Sequence, residues 1–195
     1  MKNSRIPSAR PREVHELKRK HLIITNGTIV ADELITNGTV VTIGDRIMYV
    51  GDEEEGARIK EAAIPGVFEI IDAQGGFIAP GFIDVHMHGS AGLELMDGTE
   101  EAMRTMARYL ATTGTVGFLP STVTARKEKT RAVAELVANY VGADDEAEVL
   151  GIHLEGPYIN EKYKGAQYGP AIRQADISEL DELHGILGDK LRLVT

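Results

Sequence analysis

The feature that most constrains this chain is a change of hydrophobic period near Phe68. Before it, short β-branched runs recur with a period of about two: Leu22-Ile23-Ile24, Thr28-Ile29-Val30, Thr39 to Ile43 and Ile47 to Val50. Asn26-Gly27, Asn37-Gly38 and Gly44-Asp45 punctuate these runs, and such dipeptides accept the positive φ of tight turns. The pattern predicts a small antiparallel, sandwich-like β domain over residues 21–75. The acidic stretch 52–56 reads as a solvated loop. Both Asn-Gly-Thr triplets match a glycosylation acceptor, but with no apolar signal segment in view turn chemistry explains them better.

After Phe68, apolar strands alternate with amphipathic helices. Phe82-Ile83-Asp84-Val85, Thr115 to Leu119, Val149 to Leu154 and Leu191 to Val194 read as strands. Residues 99–113, 125–141 and 176–187 read as helices. Ala102, Met103, Met106, Tyr109 and Leu110 share one face of the first helix, and Val133, Leu136, Val137 and Val141 one face of the second. Thr124 is the expected cap of the second helix, while Asp176 and Glu179 have capping-box spacing at the start of the third. Such alternation builds right-handed βαβ units and a parallel sheet. The predicted class is therefore α/β: the first half of a (β/α)8 TIM-type barrel, about four strands over 76–195, preceded by the small β domain. A complete four-stranded open sheet is the alternative, less favoured because the last strand has no covering helix.

Composition narrows the chemistry. The 195 residues include no cysteine, which removes disulfide scaffolds, thiol catalysis and thiolate-bound zinc. Any metal must be held by His, Asp or Glu. No apolar run approaches the ~18 residues of a membrane span. Residues 1–20 carry seven Lys/Arg against two Glu and are expected to form a basic, mobile extension. The rest of the chain is strongly acidic, since the total net charge is -9, and a body of that sign repels nucleic-acid phosphates. Without an export signal or cysteine, the cytoplasm is the expected compartment.

The strongest chemical signal is Asp84-Val85-His86-Met87-His88-Gly89, at the C-terminal end of the first parallel strand. Residues i and i+2 of a strand face the same side, so His86 and His88 can aim at one cation. Scattering six histidines over 195 positions gives such a pair roughly one time in seven. Its position, where a barrel's active face lies, therefore carries the argument. Asp84 has the same parity and could support the histidines from beneath, or simply cap a loop. His153 and Glu155 again share one face at the end of the third strand. A carboxylate at the mouth of a buried strand is costly unless paired or bound to metal. His86, His88 and Glu155 are the candidate metal ligands, with His153 in support. His, His and Glu suit zinc, iron, manganese or cobalt, and ligand chemistry alone does not choose among them; zinc or iron is the first expectation. Lys162 and Lys164 lie in the polar loop 160–167, where they could attract an anion or be merely solvated; His15, His21 and His184 lack partners at ligand spacing.

Pro80-Gly81-Phe82-Ile83-Asp84-Val85-His86-Met87-His88-Gly89 resembles the way the amidohydrolase superfamily opens its barrel. The segments 114–122 and Gly151-Ile152-His153-Leu154-Glu155-Gly156-Pro157, with Gly165-Ala166-Gln167 downstream, are similar to the N-acetylglucosamine-6-phosphate deacetylase family over about residues 21–195. Val116 stands where threonine is expected. The resemblance implies metal-dependent hydrolysis of the acetamide of N-acetylglucosamine 6-phosphate to glucosamine 6-phosphate and acetate. It implies Glu155, His86 and His88 as ligands of a divalent metal, Ala166 and Gln167 as contacts to a phosphorylated amino sugar, and a homodimer. It also implies two further histidines and a catalytic aspartate in a second barrel half, so no catalytic base is identifiable here and negligible turnover is expected of this chain alone. Two alternatives remain: another amidohydrolase acting on a cyclic amide, or a non-catalytic fragment that associates with a complementary chain.

Overall fold

The computed structural model describes residues 21–195. The extension expected over 1–20, and His15 within it, lie outside the described residues. The chain folds as two compact units, with the division between Pro80 and Gly81.

The first unit is a five-stranded sheet with one helix. Its strands are β1 (His21–Val30), β2 (Leu34–Ile43), β3 (Arg46–Gly51), β4 (Phe68–Asp72) and β5 (Phe77–Ile78). The order is β3-β2-β1-β4, with β5 also on β1. The first three strands pair antiparallel, as the period-two pattern predicts, but β4 and β5 run parallel to β1, so the sheet is mixed. Asn26 and Asn37 do adopt positive φ, 57° and 50°. They do so inside β1 and β2, at breaks in register rather than at hairpin turns. The ten-residue strands run through both Asn-Gly pairs, and the reversal falls at residues 31–33 instead. Gly44-Asp45 turns the chain as expected.

The acidic stretch is not a loop. Glu53–Ala62 forms helix α1, because Asp52 accepts a hydrogen bond from the Glu55 N–H and three glutamates occupy the positive first turn. Gly56 lets α1 press on β2: a Cβ there would lie 2.2 Å from Thr39 Oγ1.

The second unit begins with β6 (Phe82–Met87) and a small hairpin, β7 (Gly89–Ser90) with β8 (Leu93–Glu94). Helix α2 (Glu100–Thr112), β9 (Thr115–Pro120), α3 (Lys127–Asn139), β10 (Glu148–Val149), β11 (Ile152–Leu154), α4 (Ile177–Leu187) and β12 (Leu191–Val194) follow. Every pairing among β6, β9, β10, β11 and β12 is parallel. The third strand expected from the sequence is broken in two. β10 pairs with β9 and β11 with β12, and Gly151, at φ 149°, makes the step between them. A bridge from Ser121 to His153 continues the sheet past that step.

Met103, Met106, Phe118, Val133, Val137 and Ile152 are fully buried and form the centre of this unit's core. Two expected core residues lie outside it. Tyr109 sits one position off the α2 stripe and is half exposed. Val141 is 79% exposed, because α3 ends at Asn139 and Tyr140 turns inward instead, its hydroxyl donating to Glu146 Oε2 at 2.6 Å. Helix α3 also starts later than expected: Arg126, not Thr124, is its N-cap and makes no side-chain cap bond. Asp176 caps α4 through the Ser178 N–H, without the reciprocal box, since Glu179 is committed to Arg173. Among the described residues no helix is long and apolar enough to cross a membrane.

Candidate metal centre

The C-terminal ends of the parallel strands bring together side chains far apart in sequence. His86 lies on β6 and His88 just beyond it, so strand alternation sends both to one side. The Asp84 carboxylate accepts from the His86 backbone N–H at 3.0 Å, which fixes the local backbone; it grips this N–H and not an imidazole. The Ser121 N–H donates to the Met87 carbonyl at 2.7 Å, and the Ser121 carbonyl accepts from His88 Nδ1 at 3.1 Å. A carbonyl can only accept, so His88 is protonated on Nδ1 and its Nε2 is the atom turned toward Glu155. Glu155 follows β11, its N–H donating to Thr122 Oγ1 at 3.0 Å.

The three ligand atoms converge. Glu155 Oε2 is 2.7 Å from His86 Nε2 and 3.1 Å from His88 Nε2, and the two nitrogens are 3.3 Å apart. No other group of three or more such side chains meets this closeness among the described residues. With bonds of 2.0–2.1 Å, a tetrahedral ion separates its ligands by about 3.4 Å. The observed triangle is slightly tighter and needs only a small opening. In its neutral form, with Nδ1 protonated, His88 turns its Nε2 lone pair to the same point as Nε2 of His86 and Oε2 of Glu155, nitrogen and oxygen donors of the kind that divalent cations take. The donor set therefore fits a divalent cation.

Electrostatics act in the same direction. Burial pushes the Glu155 carboxyl up, but the hydrogen bond from His86, the nearby charges of His86 and His88, and the Gln167 bond outweigh it and leave the group below the usual range. His153, 2% exposed, is pushed below its ordinary value, first by burial and then by the positive charges of His86 and His88, with Glu155 opposing. It joins Ser121 Oγ at 3.1 Å to Thr195 Oγ1 at 2.7 Å, and its ring meets His86 edge-on with centroids 4.6 Å apart.

The loop after Glu155 closes over one side. Gln167 Nε2 donates to Glu155 Oε1 at 3.0 Å, and its Oε1 accepts from the Thr124 N–H at 2.5 Å. Ala166 is exposed next to Gln167. Lys164 donates to the Gln167 carbonyl at 2.8 Å, whereas Lys162 lies over the Tyr163 ring. His21 accepts from the Gly44 N–H in the first unit and belongs to no such ligand group.

Sequence reading missed Ser121, Thr122 and Thr124. The polar run directly after β9 was the available signal, since strand ends on this face supply site residues. It also missed Arg173. This side chain pairs with buried Glu179, donates to the Ala125 and Ala171 carbonyls at 2.9 and 3.0 Å, and lies against the Tyr158 ring. Burial and the Glu179 charge push the Tyr158 hydroxyl up to about 12.

No family model matches the chain. An N-acetylglucosamine-6-phosphate deacetylase from Lysinibacillus sphaericus is 33% identical over 171 residues, 83% of this chain and 43% of the relative. An N-acetylgalactosamine-6-phosphate deacetylase from Escherichia coli O157:H7 is 36% identical over 118 residues, 60% of this chain and 31% of the relative. Among solved structures, a mutant N-acetyl-D-glucosamine-6-phosphate deacetylase from Mycobacterium smegmatis, in complex with N-acetyl-D-glucosamine-6-phosphate, matches with TM-score 0.71 and 26% identity, covering 90% of this chain and 43% of that one. The chain thus spans less than half the length of the curated relatives it matches.

Proposed function

We propose, taking as premise the kinship of this chain with the N-acetylglucosamine-6-phosphate deacetylases, that it carries the metal-holding part of an enzyme that hydrolyses the acetamide of N-acetylglucosamine 6-phosphate. The observation that supports this most is the convergence of His86 Nε2, His88 Nε2 and Glu155 Oε2 at the C-terminal ends of parallel strands. In this reading those three atoms hold the ion, Asp84 and His153 steady the histidines, and the exposed Ala166 lies where the sugar arrives. The run β6-β9-β10/β11-β12 forms the first four strands of a (β/α)8 barrel. When bound, a divalent ion supplies Lewis acidity toward an amide carbonyl and toward water. Zinc or iron is the expected ion. The general base is not among the described side chains that converge on the triad, so the 195-residue chain alone is expected to turn over negligibly.

Two measurements test this reading. Metal-freed chain titrated with Zn2+ against a competing chelator should bind one equivalent, and Glu155→Gln or His88→Ala should weaken binding by roughly 100-fold or more, since even outer-shell losses cost 10–100-fold. Unchanged affinity in both variants overturns the assignment. Acetate release from N-acetylglucosamine 6-phosphate by the unaltered chain should stay at background, and turnover typical of an enzyme (~10 per second) would place the base within these residues. Running the N-acetylgalactosamine phosphate beside it addresses the second sugar, which the E. coli relative's name brings in.

A further inference from the structure

The resemblance implies Gln167 as a contact to the sugar, and within the protein its amide bridges the Thr124 backbone and the Glu155 carboxylate. Its Oε1 accepts the Thr124 N–H at 2.5 Å, so the amide cannot flip without setting its NH2 group against another donor. Nε2 is thereby aimed at Glu155 Oε1, 3.0 Å away. Gln167 itself is buried, and its backbone is held at both ends, the N–H donating to the Lys164 carbonyl at 3.1 Å and the carbonyl accepting from Lys164 Nζ at 2.8 Å. Glu155 is likewise tied at its backbone by Thr122. With the backbone and Oε1 both fixed, one carboxylate oxygen is left to face the imidazoles.

From this geometry we propose that Gln167 is a positioning residue for the metal site. It holds the Glu155 carboxylate in the rotamer that presents Oε2, rather than Oε1, to the cation shared with His86 and His88. The inference rests on the metal-holding reading above and goes beyond it, because a residue that touched only the sugar would leave metal affinity alone. Ligands set by outer hydrogen bonds lose roughly 10–100-fold in affinity when those bonds are removed.

The test uses the full 195-residue chain and Zn2+ alone, with no sugar present. Gln167→Met keeps the bulk and removes the donor, and Gln167→Ala removes both. Each should bind Zn2+ roughly 10–100-fold more weakly in chelator competition, while the metal-free chain keeps its folded circular-dichroism spectrum and a cooperative melt, lowered only by the buried Thr124 N–H left without its acceptor. In a Glu155→Gln background, adding Gln167→Met should cost nothing further, because the effect passes through Glu155. Unaltered Zn2+ affinity in folded Gln167→Met overturns the inference while leaving the metal site standing. So does an equal loss in the Glu155→Gln background. Unfolding of Gln167→Met also counts against it, by assigning the residue to the fold. Failure of the unaltered chain to bind Zn2+ overturns the metal reading itself and this inference with it.

Discussion

Glu179 is 3% exposed, and one side chain, Arg173, answers most of its charge. The Arg173 hydrogen bonds hold its carboxyl below the usual range, against the upward push of burial. Breaking a buried pair by deleting one partner strands the other charge, so Arg173→Met should cost about 3 kcal/mol or more in urea unfolding. The double change Arg173→Met with Glu179→Leu should recover most of it. The sign of the pH dependence follows from the lowered value. The pair's contribution is complete above the unfolded glutamate range near ~4.3 and is lost as pH falls through the lower folded value. Urea midpoints between about pH 2 and 6 should therefore drop less steeply for Glu179→Gln than for the unaltered chain; identical profiles would refute the assignment.

Among the elements, two helix starts make a matched comparison. Thr99 accepts from the Ala102 N–H at 3.1 Å at the start of α2, whereas Arg126 offers α3 no such bond. Thr99→Ala should lose about 1 kcal/mol, and Arg126→Ser should gain several tenths, both read from denaturant midpoints. The step between β10 and β11 has less tolerance. A Cβ on Gly151 would meet the Lys190 carbonyl at 2.3 Å, in a backbone conformation that L-residues avoid. Gly151→Ala is expected to push β12 from β11 at a cost of roughly 2 kcal/mol or more. It should also loosen the Thr195 end of the His153 chain of hydrogen bonds, detectable as faster amide exchange at Gly156, whose N–H donates to the Thr195 carbonyl.

For the molecule as a whole, the second unit leaves much of its sheet uncovered. Phe82 is 71% exposed, and Ile83, Val85 and Val116 are also exposed on β6 and β9. Among the described residues β6 pairs only with β9, and β12 only with β11. An open edge beside exposed apolar side chains favours association. The purified chain should bind a hydrophobic dye strongly and elute from size exclusion in a concentration-dependent way, and Phe82→Lys with Val85→Lys should reduce both. A monodisperse monomer without dye binding would contradict this.

Periodicity and spacing alone set out the alternation of strands and helices, the buried faces of Met103, Met106, Val133 and Val137, and the candidacy of His86, His88 and Glu155. These are local properties: a strand's period of two and a helix's of 3.6 are written into consecutive residues. What the sequence did not settle depends on distant partners. Whether Glu53–Ala62 was loop or helix turned on a cap at Asp52 and a surface of β2 to rest on. Asn26-Gly27 could serve a turn or a bulge equally well, and strand pairing chose the bulge. Thr124 had the chemistry of a cap, but α3 begins at Lys127 with Arg126 as its N-cap, and the Thr124 N–H meets Gln167, 43 residues later. The 2.7 Å meeting of His86 with Glu155 joins positions 69 residues apart, and only the parallel stacking of β6, β9 and β11 could close that gap.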